Sequence, residues 1–131
     1  MKAALEHVHF LCADPEATAG FFLAHLDAEE VERVTPPGWL IIRLRIGAGI
    51  VALSPRRGEQ VLGAPPAAPC RGFSHLGLTV DDLDARVERM RAAGAQVTVE
   101  PFEIAPNVRA AYVMAPDGIE LELLQPIAAR P

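Results

Sequence analysis

The chain has 131 residues, 50% of them hydrophobic, so one unit of ordinary domain size can bury a real core without cross-links. Seventeen acidic against 12 basic residues give a formal charge of −5, which argues against nucleic-acid binding, where a basic face is the rule. No apolar run approaches the ~20 residues that span a bilayer, the opening MKAALEHVHF carries no signal-peptide core, and Cys12 and Cys70 make no disulfide framework. A cytoplasmic protein with reduced thiols is expected, one that binds neither nucleic acid nor membrane.

In chain order, residues 5–12 alternate as a strand, with Leu5, His7, His9 and Leu11 on one face and Val8, Phe10 and Cys12 on the other. Asp14-Pro15-Glu16 reads as the N-cap, first-turn proline and first-turn acid of a helix. That helix should end near His25 and bury Phe21, Phe22 and Leu26. Residues 28–35 form a strand or a loose edge, and Pro36-Pro37-Gly38 a turn. Residues 39–46 (WLIIRLRI) and 50–53 are two strands around Gly47-Ala48-Gly49, a hairpin signal. Prolines then stiffen a linker over 63–71. Residues 73–80 make a new strand, and Asp81 or Asp82 caps a helix with Leu83, Val87 and Met90 at helical spacing and a glycine stop at Gly94. Strands follow over 96–99, 108–114 and 119–124, the last two joined by Ala115-Pro116-Asp117-Gly118.

Each half is therefore βαβββ, with modules over 3–62 and 72–127. The halves also repeat in sequence: LEHVHFLCADPEAT answers FSHLGLTVDDLDAR, and His7 stands as far from His75 as Asp14 from Asp82. Two copies suggest a closed pseudo-twofold arrangement rather than a solenoid. Two imidazoles at matching positions, with an acid on the closing strand, are what a divalent-metal site needs. Glu120 and Glu122 share a strand face, and periodicity does not choose between them. Ile119, Leu121 and Leu123 take the opposite, helix-packed face.

The paired βαβββ plan, with LEHVHF, FSHLGLTVDDLDA and APDGIELELLQP as its most specific pieces, resembles the vicinal oxygen chelate superfamily over roughly residues 3–127. Its members include glyoxalase I, fosfomycin-resistance proteins, bleomycin-binding proteins and extradiol dioxygenases. The resemblance implies an α+β fold whose two modules form a cupped, barrel-like mixed sheet with helices outside, in a single domain that pairs as a homodimer. It also implies that Glu122, four residues after the turn glycine, binds metal. The family's four-ligand pattern asks for a further ligand late in the first half. Overlaying the halves without a gap matches Gly47 with Gly118 and Pro55 with Pro126, which puts Val51 opposite Glu122. Neither Val51 nor its neighbours Gly49, Ile50, Ala52 and Leu53 can bind a metal. The implied ligands are then His7, His75 and Glu122, holding Fe, Mn, Co, Ni or Zn.

Other residues carry open alternatives. His9 shares the face of His7 and is either an acid–base group or a rim histidine without a role. Arg43 and Arg45 share a face with Trp39 and Ile41; they either grip a substrate carboxylate or phosphate or are solvated strand charges. Tyr112 with Met114, or Arg109 with Val113, is placed to line the pocket. The implied function is a metal-dependent lyase or isomerase acting on a small oxygen-chelating metabolite, with Glu122, His9 or Glu120 as base. An Fe(II) dioxygenase on the same three ligands and a non-catalytic drug-binding protein are the rivals. GxGxxG, P-loop, GxSxG and CxxC motifs are all absent.

Overall fold

The structure, a computed structural model, describes residues 2–35, 37 and 39–127. Its backbone divides into two units, Met1–Ala64 and Pro65–Pro131, each holding one α-helix and one four-stranded mixed sheet. The fold class is the α+β, two-module βαβββ plan that the repeat implies. The strands are hydrogen-bonded as two separate sheets, and no ladder among the described residues closes them into a barrel. No helix among the described residues is long and apolar enough to cross a membrane.

The first unit contains β1 (Val8–Leu11), α1 (Pro15–His25), β2 (Glu29–Val34), β3 (Ile41–Ile46) and β4 (Gly49–Ser54). Their order in the sheet is β1-β4-β3-β2, with β1 parallel to β4 and the other pairs antiparallel. Helix α1 starts where the Asp14 carboxylate accepts the backbone N–H groups of Glu16 and Ala17, with Pro15 in the first turn. It buries Phe22 and sits on β3 and β4, with Leu26 buried just beyond its end; Phe21 is only half-buried. The sheet answers with Ile42, Leu44, Val51 and Leu53, all buried and all on the helix side. Each such side chain contributes about 1.5–3 kcal/mol when fully removed from water. Strand β2 has no apolar stripe. It holds as an edge because its acids face the arginines of β3, Glu29 opposite Arg45 and Glu32 opposite Arg43. Pro36 and Gly38 of the expected turn lie outside the described residues.

The second unit contains β5 (Leu76–Thr79), α2 (Leu83–Ala92), β6 (Gln96–Ala105), β7 (Val108–Met114) and β8 (Glu120–Pro126), in the order β5-β8-β7-β6. Of the two candidate caps, Asp82 is the one used, accepting the Ala85 N–H. Leu83, Val87 and Met90 are buried against β6, β7 and β8, and Gly94 follows the C-cap at φ +92°. Strand β6 runs well past residue 99, through Glu100-Pro101. It is an edge strand broken by register shifts, so the N–H that proline lacks costs it little.

Both opening strands are shorter than their alternation suggests. The parallel ladders begin at Val8 with Val51 and at Leu76 with Leu121, because each strand has a neighbour on one side only. His7 and His75 therefore each stand one residue ahead of their strand.

Candidate metal centre

In the second unit, three side chains on the face away from α2 come together. Glu122 is paired in register with Gly77 on β5 and with Tyr112 on β7. Gly77 offers no side chain over the carboxylate. His75, two residues earlier on the same face, reaches it instead: its Nε2 meets Glu122 Oε2. The other ring nitrogen, Nδ1, is hydrogen-bonded to Ser74 Oγ at 2.9 Å. Tyr112 sets its ring edge-on to that of His75, centroids 5.5 Å apart, and stands beside Glu122 in the β7–β8 register. Burial first, then the charge of Glu122, pushes the Tyr112 phenol up from its ordinary value. Glu122 is 8% exposed, whereas Glu120 is half-buried and lies opposite Met114. Arg109 points the other way, onto Asp84 of α2, so Tyr112 and not Arg109 shares a face with the glutamates.

This donor set suits a divalent cation. An ionised carboxylate so nearly buried is costly unless a positive group faces it. Here it faces an imidazole Nε2 whose opposite nitrogen is already tied down, the orientation that second partners impose on metal-binding histidines. Within each unit, among the described residues, no group of three or more His, Cys, Asp and Glu side chains is gathered closely enough to hold a metal ion. The second unit by itself supplies two candidate ligands, His75 and Glu122.

The first unit carries the third candidate, His7, and around it a different cluster. His7 Nδ1 meets Glu6 Oε2, and Glu6 Oε1 accepts from Arg43 at 2.5 Å. The Arg43 guanidinium also lies 3.3 Å from Glu32, and Arg45 donates to Glu29 at 2.9 Å. Both arginines proposed to grip a substrate anion are thus engaged by carboxylates of their own unit. His9 lies with its ring 6.0 Å from that of His7, and its Nε2 meets the buried Ser54 Oγ at 2.7 Å. Burial first, then the nearby charges of His7, Arg57 and Arg43, hold His9 below its ordinary value and so favour the neutral ring.

Register corrects the gapless overlay of the two halves. Val8 pairs with Val51 and His9 with Ala52, while Leu76 pairs with Leu121 and Gly77 with Glu122. The counterpart of Glu122 is therefore Ala52, not Val51, and the counterpart of Tyr112 is Arg43. The slip arises in the turns. Residues 47–48 join β3 to β4 and residues 115–119 join β7 to β8, so Arg43 and its partner Ala52 are nine positions apart while Tyr112 and its partner Glu122 are ten. Ala52 carries no ligand atom, so the first unit offers nothing where the second has Glu122. Three supporting residues, Glu6, Ser54 and Ser74, escaped the sequence reading. The acid and the hydroxyl immediately before His7 and His75 were the available signal; nothing local marks Ser54.

A family model described as the Glyoxalase/Bleomycin resistance protein/Dioxygenase superfamily matches residues 4–123. The chain belongs to this superfamily. Among solved structures of the glyoxalase superfamily fold, a glyoxalase family protein from Bacillus cereus aligns with TM-score 0.87 at 18% identity, over 98% of this chain and 97% of that one. The fosfomycin resistance protein FosX from Listeria monocytogenes, solved with Mn(II) and sulfate, aligns with TM-score 0.70 at 18% identity, over 95% and 93% of the two chains. In sequence, a probable lactoylglutathione lyase from Vibrio cholerae is 37% identical over 54 residues, which are 40% of this chain and 39% of that protein. The matches to curated relatives span between 16% and 39% of those proteins' lengths.

Proposed function

We propose that the protein is a divalent-metal-dependent lyase or isomerase of the glyoxalase-like type, acting on a small metabolite with neighbouring oxygens. The observation that carries this reading is the nearly buried Glu122 carboxylate facing His75 Nε2, with the other ring nitrogen held by Ser74. The lactoylglutathione lyase names of the sequence relatives and the Mn(II) in the FosX structure support it. His75 and Glu122 hold the metal, His7 completes the ligand set, and the remaining positions are open to the substrate. When bound, the ion acts as a Lewis acid toward a carbonyl or hydroxyl oxygen of the substrate.

The chain's own groups do the rest. Tyr112 stands beside Glu122 on β7 and packs its ring edge-on against His75, walling that side of the pair. His9, kept neutral by burial and held on Ser54 through Nε2, keeps Nδ1 for a proton alpha to the substrate carbonyl. Glu120, on the same face as Glu122, is the alternative base. Arg43 and Arg45 are already paired with carboxylates of their own unit and do not stand as a free cationic pair for a glutathione carboxylate. We further propose that the chain works as a homodimer, which light scattering on the purified protein tests directly.

The same His, His and carboxylate set suits Fe(II) and oxygen chemistry, and one experiment separates the readings. Metal is measured in protein purified anaerobically without added ions, beside His75→Ala and Glu122→Ala. Near-stoichiometric Mn, Co, Ni or Zn, lost in both variants, supports the lyase or isomerase. Iron at that level moves the reading to a dioxygenase. Wild-type protein that stays empty after incubation with each metal leaves a small-molecule binding protein.

A further inference from the structure

The function just proposed says which atoms hold a metal; the first unit adds how one of them is aimed. We propose that Glu6 is a positioning residue for His7, itself clamped by Arg43, so that His7 presents Nε2 as its ligand atom. The inference rests on the metal-centre reading above.

The geometry is a bridging carboxylate. Glu6 uses Oε2 for His7 Nδ1 and Oε1 for Arg43, which donates at 2.5 Å, while Glu32 holds the far side of the same guanidinium at 3.3 Å. The four side chains form one line, Glu32–Arg43–Glu6–His7, built from β2, β3 and the segment leading into β1. A carboxylate can only accept, and here it is set between a guanidinium and an imidazole nitrogen. An ionised carboxylate on Nδ1 requires the proton there, and in a neutral ring this leaves the lone pair on Nε2.

The second unit shows the same device with a different residue. There the side chain immediately before the histidine, Ser74, holds Nδ1 at 2.9 Å, and Nε2 is the atom that meets Glu122. Two modules with different neighbours thus tie down the same ring nitrogen from the same sequence position. An exposed ion pair adds little to stability by itself, and Glu6 remains 65% exposed. What the cluster does fix is a ring orientation. Arg43, with a carboxylate on each side, serves that cluster instead of a substrate anion.

The test reads the ring directly and then the metal. Long-range proton–nitrogen spectra of metal-free protein at about pH 8, where an ordinary imidazole is neutral, report the His7 tautomer. Wild type is expected to hold the proton on Nδ1, and Glu6→Ala to shift it to Nε2. Co(II) titration of the metal-free proteins is expected to show affinity falling about tenfold or more in Glu6→Ala. Arg43→Ala should show a smaller loss, Arg43→Lys a partial return, and the double variant no more loss than Glu6→Ala alone. Multiplying effects in the double variant would show that Arg43 acts independently and overturn the clamp. Unchanged tautomer and affinity in Glu6→Ala, with His75→Ala still losing the metal, would overturn this inference and leave the metal centre standing. Wild-type protein that takes up no Co(II) would overturn both.

Discussion

A group kept for a ligand and not for the fold should be a net cost until the ligand arrives, and Glu122 puts that to the test. Glu122→Met keeps the length of the side chain and removes its charge. In the metal-free protein the variant loses the polar contact with His75 Nε2, worth about 1.5–3 kcal/mol when the acceptor is charged. Against this, an 8%-exposed position exchanges an ionised group for an apolar one, and burying such a side chain returns about 1.5–3 kcal/mol. A strand position adds up to ~1 kcal/mol for leaving glutamate. His75 is 31% exposed and can turn to water. The balance is about 1 kcal/mol in favour of the variant, in line with the neutral or stabilising effect of replacing buried ion pairs by apolar groups. For a chain of this size that is a rise of roughly 4 °C in Tm. With metal at 100 times its Kd the wild type gains about 2.7 kcal/mol and the variant nothing. The order of the two proteins should therefore reverse between chelator and metal in urea titrations. Metal-free Glu122→Met less stable than wild type by about 2 kcal/mol or more would refute the reasoning, because the His75–Glu122–Tyr112 cluster would then be a structural network.

Three further outcomes are expected. Asp84 in the first turn of α2 accepts both terminal nitrogens of Arg109, at 2.7 and 3.0 Å, and these hydrogen bonds, with the adjacent charge, hold its carboxyl below the usual range. A depressed carboxyl stabilises the fold above its unfolded pKa and loses that effect as pH falls through its folded pKa. The urea midpoint of Asp84→Asn should thus lag wild type near neutrality and converge with it in acid, below the ordinary aspartate range; an equal gap at both ends would show that charge is irrelevant. Gly118 lies at φ +70°, and an added Cβ would approach the Pro65 ring to 3.4 Å. Gly118→Ala should cost about 1–2 kcal/mol and weaken Co(II) binding with it, since this turn sets the β7–β8 register; a stability loss with unchanged affinity would separate turn from site. Phe22→Ala, emptying a fully buried position under α1, should cost about 3–5 kcal/mol by urea titration, and a cost below 1 kcal/mol would mean that the first unit's core is not centred there.

The elements were legible because local chemistry and alternation agree. Asp14 and Asp82 each cap a helix behind a strand, and the apolar positions Leu83, Val87 and Met90 recur on one helix face and are buried. Register was harder to read. Gly47 opens a two-residue turn and Gly118 stands late in a five-residue one, with paired positions one residue further apart across it, so matching the two glycines shifts the overlay by one position and selects Val51 over Ala52. Strand length failed where the sheet, and not the segment, decides: Pro101 looks like a break, yet β6 continues through it as an edge. The sequence likewise shows Arg43 as a cation on a strand face without showing whether that cation is free. Its partners Glu6 and Glu32 come from elements brought together only when β2 and β1 take their places in the sheet. Register then assigns the two modules different tasks at one position. In the first, Arg43 is absorbed by carboxylates beside Ala52; in the second, Tyr112 stands at the equivalent point, paired with Glu122 and edge-on to His75.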